Sequence, residues 1–269
     1  TAALVLAVYA IVNGNEAGWT SAQTLSLLGG AVVLLAAFLA IEARVADPLM
    51  PLALFAYRNI AVSNVMGVLW AAGMFAWFFV SALYMQLVLG YSAMQIGLAF
   101  LPSNLIMAAF SIGLSAKMVM RFGIRGPVAV GLLTAAAGLV LFALAPVDGS
   151  FMLHVLPGML LLGFGAGMAF NPMLLAAMSD VDPKESGLAS GVVNTSFMMG
   201  GALGLAVLAS LAAARTQGLL ADGAAQAAAL NGGYHMAFAG GALFAAIAGV
   251  GGLLLREPRP AAGQQPAAA

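Results

Sequence analysis

The chain has 269 residues, 63% of them hydrophobic and 7% charged, and its nine basic residues balance nine acidic ones for a formal net charge of zero. A soluble domain carries roughly 25% charged residues, so these proportions exclude a water-covered surface, and the charge balance removes the attraction a nucleic-acid binder needs. Cys is absent, which excludes disulfides, thiolate nucleophiles and Cys-ligated metals.

Charge-free apolar stretches fall at about 1–12, 24–41, 60–89, 94–116, 127–145, 153–178, 187–213 and 235–255, here called segments a to h. Segment a is shorter than the roughly 20 apolar residues that cross a bilayer core, and it lacks the basic start and cleavage site of a signal peptide. It reads as a membrane helix truncated at its start, so the chain is expected to be the C-terminal part of a longer protein. Segments b to h are each long enough to span, and buried backbone in lipid must satisfy its own hydrogen bonds, so they predict helices.

Loops b–c, d–e and f–g and the tail hold Arg44, Arg58, Lys117, Arg121, Arg125, Lys184, Arg256 and Arg259, eight of the nine basic residues. Because short cytoplasmic loops are enriched in Lys and Arg, these loops and the C-terminus are expected on the cytoplasmic side, in a multi-pass cell-membrane protein. "DPLMP" at 47–51 marks a boundary through its prolines. The expected organisation is a helix pair with a cytoplasmic loop over 1–57, six membrane helices over 58–258 and a disordered cytoplasmic tail over 259–269. Loop g–h, about 20 residues with "LLADGAAQAAAL" in it, is expected to hold a short surface helix.

The polar residues divide the segments. Segments e and h are nearly featureless and are expected to face lipid, whereas c carries Asn64, d Asn104, f Asn171 and g Asn194. Amides in hydrocarbon are costly unless they face protein or water, so c, d, f and g are expected to line a central cavity. Counting the rise inward puts Asn64, Asn171 and Asn194 in an inner vestibule, and Trp70, Met74, Asn104, Phe164 and Met198 nearer the middle, as an apolar, aromatic and Met-rich substrate pocket. The same amides could equally bond neighbouring helices. Gly163 and Gly167 in f, and Gly187, Gly191 and Gly201 in g, give small faces for close helix packing. Pro102 and Pro172 are expected to kink d and f. Ser186 is placed to cap g.

Three stretches carry a family resemblance: "YMQLVLGYSAMQIGLAFLP" (84–102), "GFGAGMAFNP" (163–172) and "GLASGVVNTSFMMGGALGLAV" (187–207). They resemble the fourteen-helix drug:proton antiporter branch of the major facilitator superfamily. The resemblance implies an all-α polytopic membrane protein, the C-terminal six-helix half of a major-facilitator-type bundle, preceded by two extra membrane helices similar to a and b. It also implies a cytoplasmic gate motif in loop d–e. Arg121, Gly123 and Arg125 match that motif and Lys117 adds to it, while Met120 stands where the family has an Asp. Family members commonly have Arg-Gln where this chain has Phe197-Met198, which implies a less polar pocket.

The function so implied is proton-coupled efflux of small hydrophobic or amphipathic drugs by alternating access, with the bilayer, a small-molecule substrate, protons and a missing N-terminal half as partners and no cofactor or metal. Helices b to h hold no carboxylate, so the proton site is expected in the missing half. Paired carboxylates, a His-Glu metal spacing or a nucleophile with a nearby base would mark an enzyme, and none is found. A metabolite transporter of the same fold, or a non-transporting helical subunit, remains as the alternative.

Overall fold

The structure, a computed structural model, describes residues 1–45, 48, 50, 52–179, 181 and 185–257. Most of the 47–51 boundary, Lys184, Arg259 and the expected tail 259–269 lie outside the described residues.

Every regular element among the described residues is helical, because seven stretches are long and apolar enough to cross a membrane and a spanning backbone must pair with itself. The order is α1 (Ala2–Ala17), α2 (Ala22–Glu42), a short 3-10 turn (Leu52–Ala56), α3 (Arg58–Leu83), α4 (Ala93–Ala109), α5 (Ser115–Phe122), α6 (Arg125–Ala143), α7 (Leu156–Met178), α8 (Ser186–Ala221) and α9 (Gln226–Gly252). Wide π-type turns extend α3 (Tyr84–Val88), join α4 to α5 (Phe110–Leu114) and lead into α7 (Phe151–Val155). The chain is an all-α polytopic membrane protein.

Two expected loops are helical instead. The d–e stretch continues segment d as α5 after a break at Gly113, whose φ of 141° belongs to glycine. Both Pro102 and Pro172 sit inside helices, α4 and α7, so the backbone break in d falls at the glycine and not at the proline. Loop g–h shrinks to the turn 222–225, because α8 runs on past Arg215 to Ala221 and α9 starts at Gln226. No separate surface helix forms there. At the start of α8, Ser186 is the first helical residue and Glu185 occupies the N-cap position.

Helix α3 packs extensively on α8 and α9, α6 on α7 and α9, and α8 on α9; α4 packs on α7, and α1 pairs with α2 while also resting on α8. Asn15 of α1 fixes that last contact, its amide nitrogen donating to the Ser210 carbonyl (2.8 Å) and hydroxyl (3.0 Å). The interhelical core holds Trp70, Trp77, Leu132, Leu139, Phe142 and Phe238. Close crossings are made by small residues: a Cβ on Gly165 would lie 2.5 Å from both Ala135 N and Gly131 O, and a Cβ on Gly200 would lie 2.6 Å from Val68 Cα. In lipid, where apolar burial gives helices no reason to associate, such close approach lets dispersion hold them.

Candidate functional site

A cavity of about 180 Å³ lies between α3, α7 and α8. Helical spacing builds it: Ser63, Asn64 and Gly67 of α3, Phe170, Met173 and Leu174 of α7, and Ser190, Val193, Asn194 and Phe197 of α8 each follow the i, i+3, i+4 rows of one helix face. Its floor is buried, with Ser63 1%, Asn64 6% and Phe197 8% exposed. Its rim is open, with Phe170 and Leu174 at 41% and 42%. Phe197 meets Phe170 edge-on at 5.7 Å and Phe75 at 6.4 Å, which makes one wall aromatic. The Asn64 amide nitrogen donates to the Ile60 carbonyl at 2.9 Å, whereas Asn64 Oδ1 and Ser63 Oγ are buried without a partner. Among the described residues, no ionisable side chain lines this cavity.

A second cavity of about 410 Å³ sits at the Gly113 break, between the α4–α5 turn, α5 and α7, lined by Phe110, Ser111, Ser115, Met120, Asn171 and Pro172 among others. Ser115 Oγ is buried there without a partner.

The residues singled out from the sequence distribute as follows. Asn64 and Asn194 share the first cavity, while Asn171 lines the second. Asn104, Phe164 and Met198 are exposed, the last two at 46% and 47%. Phe164 stands edge-on to Phe110 at 6.0 Å. Trp70 is fully buried in the helix-packing core, and Met74 is half-buried against it; neither lines either cavity. Among the glycines, Gly163 abuts the Ser103 backbone, Gly167 the Phe110 side chain and Gly201 the Phe75 ring, whereas a Cβ on Gly187 or Gly191 would meet nothing within 4 Å. Phe197, which the sequence reading passed over for Met198, belongs to the cavity because it continues the Ser190, Val193, Asn194 row; Met198 lies about 100° further round the helix.

The end of the molecule bearing Lys117, Arg121 and Arg125 has its own construction. The three side chains are exposed, the first two on amphipathic α5, and the Arg121 guanidinium lies 5.3 Å from the Phe122 ring centre. Gly123 ends α5 with φ 71°, and a Cβ there would meet the Glu257 carboxylate at 2.6 Å. That carboxylate accepts from Ile124 N (2.9 Å) and Arg125 N (3.1 Å). It therefore satisfies free N–H groups at the start of α6, where the helix dipole favours negative charge. Nearby, Asn59, 1% exposed, donates to Ser179 Oγ and the Arg256 carbonyl and accepts from Arg256 N (2.8 Å), and Arg58 Nε donates to the Leu254 carbonyl. The segment after α9 thereby ties together the starts of α3 and α6 and the end of α7. Sequence reasoning did not find this tie, since nothing local links Asn59 or Gly123 to a tail more than 130 residues away.

Both lone histidines are engaged, His154 within its own turn and His235 across helices. His154 Nδ1 accepts from Ser150 N (3.0 Å), and His235 Nε2 and Asn231 Nδ2 converge on the Ala145 carbonyl at 2.7 and 3.0 Å.

With this architecture in view, comparison with known proteins is decisive for the family. The sequence model described as Major Facilitator Superfamily matches residues 1–205. The chain belongs to the major facilitator superfamily. It is similar to the puromycin resistance protein of Streptomyces alboniger (36% identical over 248 residues, 89% of this chain and 49% of the relative). It is also similar to the cephamycin export protein of Amycolatopsis lactamdurans (34% over 246 residues, 91% and 49%). A third relative is the tetracenomycin C resistance and export protein of Streptomyces glaucescens (31% over 225 residues, 84% and 41%). The chain spans about half the length of the curated relatives it matches. Within this superfamily, the two largely apolar cavities and the tied basic end are the built features of the described residues.

Proposed function

We propose that this chain is the C-terminal part of a secondary active transporter that exports small hydrophobic or amphipathic drugs, coupled to protons, by alternating access. One observation carries the reading: the cavity between α3, α7 and α8 joins a wall of aromatic and aliphatic side chains to the exposed polar side chains of Ser190 and Asn194, and its rim is open at Phe170 and Leu174. A pocket of that composition accepts apolar molecules while offering a few oriented hydrogen bonds. The relatives' names, resistance and export proteins, point the same way.

In this reading the rest of the pocket comes from a preceding half, which would close over the open rim and over Asn104, Phe164 and Met198. The proton-exchanging carboxylate belongs to that half as well, because α2 to α9 bury no acidic side chain in mid-span. Glu42, 7% exposed, sits at the end of α2 and accepts from Met50 N (3.0 Å), which makes it a structural clasp. The basic loops orient the tied end, with the C-terminus, toward the cytoplasm of a cell membrane. Alternating access then requires that end to open and close, with Lys117, Arg121, Gly123 and Arg125 in its gate.

The test is export. In a host lacking its own efflux pumps, the full-length protein should lower the accumulation of ethidium and related dyes, and a proton-gradient uncoupler should abolish the effect. A well-expressed protein that exports nothing from a broad panel would overturn the reading.

A further inference from the structure

The helix pair α1–α2 is fastened to the helix cluster at both of its ends, and both fastenings bear on α8. At the turn end, the Asn15 amide nitrogen donates to the Ser210 carbonyl (2.8 Å) and hydroxyl (3.0 Å). The amide is held in that orientation, because its oxygen accepts from Trp19 Nε1 at 2.9 Å. The Trp19 ring in turn lies over Gly14, 3.1 Å from where a Cβ would stand. Polar bonds between helices in apolar surroundings are costly to break, since no water takes the partner's place.

At the open end, Glu42 closes α2 and accepts from Met50 N at 3.0 Å. The chain then inserts Leu54, 2% exposed, against Ile60 of α3 and Ala189 and Val192 of α8. Val192 and Ser210 stand about 27 Å apart along α8, close to the roughly 30 Å of a bilayer core. A single grip would let the pair swing about it. Two grips at that separation on one helix block both tilting and sliding unless one of them gives way.

The outer side of α2 is built differently. Residues 27–41 read "LLGGAVVLLAAFLAI", without a polar side chain, and Val32, Val33, Phe38 and Ile41 are exposed. Such a face makes only dispersion contacts, so lipid or another helix passes over it without breaking a hydrogen bond.

We propose that α1–α2 is a strap carried by α8: when the transporter changes state, the pair moves as one body with α3 and α8 and not with the preceding half. The movement rests on the transporter reading above; the fastening rests on contacts within this chain.

The experiment uses the full-length protein in lipid nanodiscs, with any cysteines of the preceding half replaced, since this chain has none. Spin labels at Val12→Cys and Leu211→Cys report the turn end, and at Ile41→Cys and Leu188→Cys the open end; all four positions are exposed. Each pair is expected to give one narrow distance that stays within about 2 Å with and without ethidium. Asn15→Leu combined with Leu54→Ala should broaden both distributions. If that double variant fails to fold, Asn15→Leu alone should broaden the Val12–Leu211 pair. Broad distances in the parent protein, a larger shift with ethidium, or distributions that the variants leave unchanged would overturn the proposal. The Val12→Cys, Leu211→Cys protein, bridged by a bifunctional thiol reagent, should export ethidium as well as before bridging. Loss of export on bridging alone removes the strap. Absence of export before bridging removes the transporter reading, and the spin-label distances then still decide the fastening.

Discussion

Helices α4 and α6 are almost equally apolar, yet the protein treats them oppositely. In its most apolar window the α4–α5 span is 17% buried and α6 is 56% buried. The α4 helix caps itself: Ser92 and Gln95 exchange hydrogen bonds in a capping box (Ser92 N to Gln95 Oε1 2.8 Å). It leaves Met94, Leu98, Leu101 and Leu105 exposed at 74%, 55%, 48% and 66%. For α6 the situation is reversed. It has no side-chain cap of its own, borrows Glu257 from the far end of the chain, and presses Gly131, Ala135 and Leu139 into its neighbours. One helix is locally self-sufficient and sparsely packed; the other is held by distant parts of the chain. Hydropathy could not separate them, because lipid and protein interior are equally apolar.

The contrast can be broken most severely at a helix crossing. Gly165→Val should abolish recoverable folded protein, since its Cβ would stand 2.5 Å from two backbone atoms of α6 and overpacking a tight contact costs about 1–3 kcal/mol or more. Gly97→Val on α4, where nothing lies within 4 Å, should leave the yield of monodisperse protein unchanged in size-exclusion chromatography. Next in size, Leu139→Ala should destabilise by about 2–5 kcal/mol as a buried cavity forms, while Leu105→Ala should stay within about 0.5 kcal/mol. Thermal unfolding of this chain in detergent reads both. A Leu105 effect as large as that of Leu139 in the full-length protein, absent in this chain alone, would support the proposal that a preceding half covers α4.

A smaller loss is expected at the tie. Asn59→Ala removes a buried side chain that bonds α7 and the post-α9 segment at once, and should cost about 1–3 kcal/mol. Hydrogen exchange should then rise selectively over residues 254–257. Smallest is Glu257→Ala: the carboxylate is exposed and solvent screens it, so about 0.5 kcal/mol is expected. Its signature is faster exchange at Ile124 and Arg125, with the first turn of α4 unchanged.

Several of these features can be traced back to particular residues in the sequence. Depth along the helices grouped Asn64, Asn171 and Asn194, whereas Asn64 and Asn194 line the first cavity and Asn171 the second. Trp70 shows why. Counting residues along a helix does not say which way a side chain faces, and the Trp70 ring lies in the core. The same gap made Met198 stand in for Phe197, one residue and about 100° away. Featureless e and h do keep an apolar outer face, at Val130 and Val140 of α6 and Leu243 and Val250 of α9. Their Gly- and Ala-rich inner faces nevertheless pack into the interhelical core, with 56% of the α6 window and 44% of the α9 window buried. Charged residues hid the helicity of α5 and the end of α8, because a charge ends a membrane span without ending a helix.

The amino-acid sequence by itself determined that this is a helical membrane protein, where seven spans lie and which loops carry the positive charge, since a bilayer imposes length, apolarity and internal hydrogen bonding on each segment separately. Only the tertiary structure decided which faces meet, that a glycine and not a proline breaks segment d, that Glu257 caps α6, and that Asn64 and Asn194 line one cavity. Those outcomes depend on the rotation of each helix about its axis and on contacts between residues more than a hundred positions apart, which no local pattern encodes.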